Sequence, residues 1–302
     1  MTRPALDPEL RTLLADMPLR TTLDLETLHQ IRPYAVGQLD TGRLARRDVG
    51  RLSIFTPSDK PVNAPCVYWI HGGGMVMGDR FSQLDIPLDW LAEFGAVVVT
   101  VDYRLAPEAS GMTLVEDCYD GLVWTAEHAA ELGIDPSRII VAGTSAGGGL
   151  AAGVTLLARD RVGPPIAAQV LICPMLDHRN NTESSRQFGG EPGVWTREMN
   201  DFGWRSVLDG VDEVPRYVSP ALAEDLSGLP TTYLDVGTAE VFRDEDVAYA
   251  GRIWAAGGQA ELHVWAGGCH GFDALFPKAG LSVEARRTRT NWLARVLSPA
   301  SS

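Results

Sequence analysis

Three short stretches carry the residue types that chemistry needs. His71-Gly72-Gly73-Gly74 comes first, Gly143-Thr144-Ser145-Ala146-Gly147 follows, and His270-Gly271-Phe272 stands near the end of the 302 residues. A serine hydroxyl is a weak nucleophile until a neighbouring base takes its proton, and a late loop histidine can be that base. Glycines let backbone N–H groups close on a developing oxyanion, each donor contributing about 2.7–4 kcal/mol to the transition state. Glycine cradle, serine and histidine in this order spell acyl transfer through a serine ester.

The three signals differ in specificity. With 31 glycines in the chain, a Gly-x-Ser-x-Gly match arises by chance about 0.15 times, whereas His before three glycines arises about 0.006 times. Context raises the value of the serine match. Arg138–Gly143 (RIIVAG) reads as a strand and Ala146–Asp160 as a helix, so Ser145 stands at a sharp junction where only small neighbours fit. The start of the helix adds free N–H groups and the positive end of its dipole. Gly73, Gly74 and Ala146 are the expected oxyanion donors. His71 is expected to hold the glycine loop by hydrogen bonds, leaving proton transfer to His270. His29, His128, His178 and His263 lack comparable settings. The partner acid belongs in the loop Gly237–Glu245, where Glu240 and Asp244 are candidates and Asp235 stands further behind. Asp244 and Glu245 also suit the first turn of a helix.

Six apolar runs read as the strands that position these residues: Cys66–Ile70, Ala96–Val101, Arg138–Ala142, Ala168–Cys173, Thr232–Val236 and Glu261–Trp265. Helix-length periodic stretches alternate with them at Met112–Leu132, Ala146–Arg159, Asp244–Ala256 and Leu281–Leu297. That alternation predicts a mostly parallel sheet with helices on both faces and active residues at the carboxyl ends of strands. Residues 1–40 offer short amphipathic helices and no strand. Residues 177–215 hold a polar loop and a helical piece with Trp195, Phe202 and Trp204. Both segments are expected to form a cap, in a single domain over residues 1–302. Met75, Met77, Trp195, Phe202 and Trp204 suit either pocket walls or plain core packing.

The net charge of -13 disfavours nucleic acid and anionic membranes as partners. Cys66, Cys118, Cys173 and Cys269 show no metal-type spacing and read as reduced thiols. The first twenty residues lack the apolar stretch of a signal peptide, and no run approaches a membrane span. A cytoplasmic protein is expected, and its oligomeric state, a homo-oligomer included, stays open.

Together these motifs resemble the bacterial hormone-sensitive-lipase-like carboxylesterases of the α/β-hydrolase superfamily. The likeness rests on HGGG with Gly78-Asp79, Asp102–Glu108 (DYRLAPE), GTSAGG, Cys173–Asp177 (CPMLD), Ser227–Pro230 (SGLP), Arg243-Asp244-Glu245 and His270-Gly271-Phe272. It implies the α/β-hydrolase fold, an eight-stranded sheet with a helical cap, a Ser145/Glu240/His270 triad, no cofactor and no metal. It selects Glu240, four residues before Asp244, as the acid. Most relatives carry Asp where Glu240 and Thr144 stand, and a Pro-rich stretch in place of Ala109–Met112. Cys269 beside the base is also unusual. The implied reaction is hydrolysis of short- to medium-chain acyl esters, small-molecule substrates. An amidase or deacetylase would use the same triad, whereas a non-catalytic relative would have lost one of its members.

Overall fold

Strand order follows from where the apolar runs fall along the chain. The computed structural model describes residues 2–37, 44–57, 59 and 61–298. The first half forms α1 (Pro8–Leu14), α2 (Leu25–Ile31), β1 (Ala45–Val49), β2 (Leu52–Thr56), β3 (Ala64–Ile70), α3 (Asp85–Phe94), β4 (Val97–Val101), α4 (Met112–Glu127), α5 (Ala129–Leu132), β5 (Ile134–Thr144) and α6 (Ala146–Asp160). The second half forms β6 (Ala168–Ile172), α7 (Glu183–Gln187), α8 (Arg197–Val207), β7 (Thr231–Ala239), α9 (Arg243–Ala255), β8 (Ala260–Cys269), α10 (Phe272–Leu275) and α11 (Gly280–Leu297).

The sheet has eight strands in the order β1-β2-β4-β3-β5-β6-β7-β8. β1 and β2 pair antiparallel, as do β2 and β4, and the remaining neighbours are parallel. All seven residues of β3 are buried, the pattern of a strand covered on both faces. Its side chains alternate between two cores. Cys66, Tyr68 and Ile70 face the side of α4, α6 and α9, while Val67 and Trp69 face that of α3 and α11. A third cluster joins Leu10 and Leu14 of α1 to Cys269, Phe272 and Ala285.

The six predicted strands are present, with small shifts at their ends. Cys173, read as the end of a strand, leaves it with φ 38°. The helix predicted over Met112–Leu132 breaks at His128, whose ring stacks on Trp124 at 4.1 Å and whose Nδ1–H donates to the Trp124 carbonyl at 2.8 Å. Two strands, α3 and the short α10 escaped the sequence reading. β1 is almost wholly exposed and charged, and β2 (LSIFT) is interrupted by a serine. The segment 177–215 holds two helices instead of one. Residues 1 and 38–40 of the predicted N-terminal cap segment lie outside the described residues.

Candidate active site

Each of the three residues expected to react is the first one beyond a parallel strand. Ser145 follows β5, Glu240 follows β7 and His270 follows β8, while His71–Gly74 leaves β3. Parallel strands share one carboxyl edge, so residues far apart in sequence meet there.

Ser145 sits at φ 55°, ψ -123°, a strained conformation for a residue with a side chain. Surrounding bonds over-determine it. Its N–H donates to the Ile172 carbonyl at 2.8 Å, and its own carbonyl accepts from the N–H groups of Gly149 and Met175 at 3.0 and 2.9 Å. The turn is too tight for larger neighbours: a Cβ on Gly147 would lie 2.1 Å from the Ile70 carbonyl oxygen. The Ser145 hydroxyl thus projects toward His270 and donates to its Nε2 at 2.9 Å. On the far side of the ring, Nδ1–H donates to Glu240 Oε2 at 2.6 Å. Glu240 Oε1 accepts from the Gly237 N–H at 3.1 Å, which fixes the carboxylate plane. All three side chains are buried, Glu240 most deeply at 1% exposure. A carboxylate on Nδ1–H keeps Nε2 unprotonated toward the hydroxyl and favours the imidazolium once a proton arrives.

The other acid candidates do different work. Asp244 Oδ2 accepts from the Ser184 N–H at 2.7 Å and its Oδ1 from Arg243 Nε at 2.7 Å, joining α7 to the start of α9. Burial would raise its pKa, but those bonds outweigh it and hold the carboxyl below its ordinary value. Asp235 is engaged by Arg289. Glu245 accepts from the N–H groups of Leu176 and Asp177 at 2.8 and 3.0 Å.

Gly73 and Gly74 adopt φ of 114° and 62°, backbone conformations that favour glycine. The Gly72 N–H is taken by Gln83 Oε1 at 3.0 Å, whereas those of Gly73 and Gly74 meet no acceptor among the described residues. Ala146 opens α6, where a helix leaves its N–H without an internal partner. These three N–H groups are the candidate donors to an oxyanion. His71 is fully buried and burial lowers its pKa. It stacks on Tyr103 at 4.3 Å, its Nδ1–H donates to the Gly72 carbonyl at 2.7 Å, and its own carbonyl accepts from the Tyr103 hydroxyl at 3.0 Å. It pegs the loop.

A cavity of about 430 Å³ opens beside His270, walled mainly by apolar groups including Leu6, Leu14, Leu19, Val194 and Trp195. The two segments outside the sheet build it together. Arg3 donates to the Gln187 and Gly189 carbonyls and to Glu191, and the Gly193 N–H donates to the Arg20 carbonyl at 3.0 Å. Trp195 also lies against the glycine loop, since a Cβ on Gly74 would come within 2.3 Å of its ring. Of the five residues that suited wall or core, only Trp195 lines this cavity. Met75, Phe202 and Trp204 are buried in the main core and Met77 packs against it.

Two cysteines flank the base. Cys269 touches the cavity, and burial pushes its thiol up to about 12. Cys173 was not anticipated here: its Sγ, a Glu240 oxygen and a His270 nitrogen lie within 4.8 Å of one another. Both nitrogens of His270 are already committed, to Glu240 and to Ser145. The Thr144 hydroxyl lies 3.8 Å from Cys173 Sγ.

Comparison with known proteins gives a consistent result. A family described by the alpha/beta hydrolase fold matches residues 67–274. Esterase LipI of Mycobacterium tuberculosis is 32% identical over 274 residues, covering 86% of each chain. Carboxylesterase NlhH of the same organism is 33% identical over 280 residues, again covering 86% of each. Among solved structures, a bacterial heroin esterase superposes with a TM-score of 0.90 at 35% identity, over 99% of this chain and 100% of that one.

Proposed function

We propose, from the premise that this chain belongs to the hormone-sensitive-lipase-like esterases of the α/β-hydrolase family, a two-step acyl-enzyme hydrolysis of small carboxylic esters at Ser145. The observation that carries this assignment is the unbroken path Ser145–His270–Glu240, with links of 2.9 and 2.6 Å. Ser145 Oγ attacks the ester carbonyl carbon as its proton passes to His270 Nε2. Glu240 keeps the ring in the right tautomer and stabilises the imidazolium. The carbonyl oxygen, now anionic, is received by the N–H groups of Gly73, Gly74 and Ala146. His270 then returns the proton to the departing alkoxide, the C–O bond breaks, and an alcohol leaves. Water repeats the sequence on the acyl-enzyme and releases the carboxylic acid.

The leaving oxygen must lie within reach of His270 Nε2, so the cavity walled by His270, Cys269 and Ala239 is assigned to the alcohol half. Short- to medium-chain acyl groups are the proposed acyl half. Residues 1–40 and 177–215 are the cap of one catalytic domain spanning residues 1–302, a reading supported by their shared walls around the cavity. No described helix is long and apolar enough to cross a membrane. The cytoplasm is the proposed compartment, supported by four buried, unpaired cysteines.

The test is covalent. A fluorophosphonate should label the protein at Ser145 with loss of turnover. Ser145→Ala should remain folded, resist labelling and lose at least about 10³-fold in kcat. Labelling of another residue, or an active Ser145→Ala protein, would overturn the assignment. Running p-nitrophenyl butyrate against its matched anilide separates an esterase from an amidase.

A further inference from the structure

Behind the triad lies a second set of buried charges that the reaction scheme does not use. Arg289 of α11 donates through one terminal nitrogen to Asp235 Oδ2 at 2.8 Å and through the other to Asp273 Oδ2 at 3.0 Å. The three side chains are only 1–3% exposed. Asp235 Oδ2 also accepts from the Tyr233 hydroxyl at 3.2 Å and the Trp265 indole at 3.3 Å. Burial works against the charge on Arg289, but Asp235 and Asp273 outweigh it and hold the guanidinium ionised.

The locations of the two carboxylates matter more than their number. Asp235 lies on β7, whose end releases Glu240, and its carbonyl also anchors the Cys173 N–H at 2.7 Å. Asp273 lies on α10, three residues beyond His270. The same face of α11 grips that loop twice more: Arg286 donates to the Asp273 carbonyl at 2.9 Å and the Ser282 hydroxyl to the Phe272 carbonyl at 3.2 Å. A buried ion cluster is often no more stabilising than apolar residues of the same volume. What a planar, bidentate guanidinium adds is direction, which an apolar contact lacks.

We propose that Arg289 is a positioning residue for the reaction. By holding Asp235 and Asp273 in one fork, it sets the separation between the acid-bearing end of β7 and the base-bearing loop after β8. Arg286 and Ser282 assist from the same helix. The 2.6 Å contact between Glu240 and His270 is the distance thereby controlled. This inference rests on the triad reading above, and its experiment keeps the two separable.

The experiment measures kcat per active site, with sites counted by fluorophosphonate titration so that misfolded protein drops out. Arg289→Lys keeps the charge but loses the rigid two-nitrogen fork. It should lower kcat per site about tenfold, and Arg289→Met about 100-fold, with KM within about twofold in both. In a Glu240→Gln background, Arg289→Lys should cost almost nothing more, because two residues acting through one contact are not additive. Arg295→Gln, on α11 but bonded to the surface residue Glu261, should leave kcat unchanged. Full titre with unchanged kcat in Arg289→Lys, or an undiminished effect in the Glu240→Gln background, overturns the inference. If both Arg289 variants fail to fold, Arg286→Met decides: kcat per site should fall about threefold, and no fall overturns the proposal. A wild-type protein that takes no label indicts the triad instead.

Discussion

Glu240 and Asp244 stand one helical turn apart, and the sequence alone offers both as partner for His270. The structure separates them by contact: Glu240 touches the ring and Asp244 touches the Ser184 backbone. Isosteric amides turn that into a measurement. Glu240→Gln removes the negative charge behind Nδ1 and allows the wrong tautomer, so kcat should fall on the order of 10³–10⁴-fold with the fold intact. Asp244→Asn should keep turnover per site and cost about 1 kcal/mol in stability, the scale of one hydrogen bond. Reversed outcomes in steady-state kinetics and urea denaturation would move the acid to Asp244. Glu240 carries one methylene more than the Asp of most relatives. Its plane is fixed by the Gly237 N–H, a bond made three residues back within its own turn.

At the scale of elements, α9 presents a cost that its neighbours do not relieve. Asp246 is fully buried, and neither of its carboxylate oxygens has a hydrogen-bond partner among the described residues. Burial pushes its pKa well above the ordinary range, and the carboxylates of Glu245, Glu240 and Asp235 push it further. The folded protein therefore holds a proton that the unfolded chain releases near pH 4. Stability from this group falls as pH rises above that value toward the folded pKa. Asp246→Asn should raise the urea midpoint at pH 8, and raise it less at pH 5. A lower midpoint at pH 8 would refute this. Such a feature is invisible to periodicity; Arg289 shares the helical face of Ala285, Trp292 and Leu293, but its charge hides that burial and nothing in the sequence names its partners. Period makes the strands β3 to β8 legible, most plainly β3 to β7 whose buried runs are apolar, and motif marks the serine, the glycine loop and His270, which the strand ends bring to one edge of the sheet. β1 escapes because it is an edge strand exposed along its length, so its residues ARRDV carry no apolar signature. Cys173 escapes because its nearness to Glu240 and His270 arises only when β6, β7 and β8 lie side by side.

Across the whole molecule, the cavity beside His270 depends on two segments nearly two hundred residues apart. Arg3 is the principal clasp between them, with its guanidinium also 5.4 Å from the Phe188 ring centre. Arg3→Ala removes one partly exposed ion pair, worth about 0–1 kcal/mol, and two bonds to backbone carbonyls, each about 1 kcal/mol. The melting temperature should therefore fall by only several degrees. The substitution should lower kcat/KM for esters of bulky alcohols about 3- to 10-fold while leaving ethyl esters unaffected. Equal effects on both, in a panel sharing one acyl group, would argue that this wall does not meet the alcohol. The same long spans govern how the site comes into being. Ser145 and His270 are separated by 125 positions, and their contact exists only once β8 has docked on β7. Closing such a loop is entropically costly, so parallel pairing comes late. On the proposed roles, a chain that has completed β5 through β7 holds Ser145 and Glu240 without His270 and is chemically silent. Recovered turnover during refolding thus clocks the docking of one edge strand, an event that the growth of helical signal would miss.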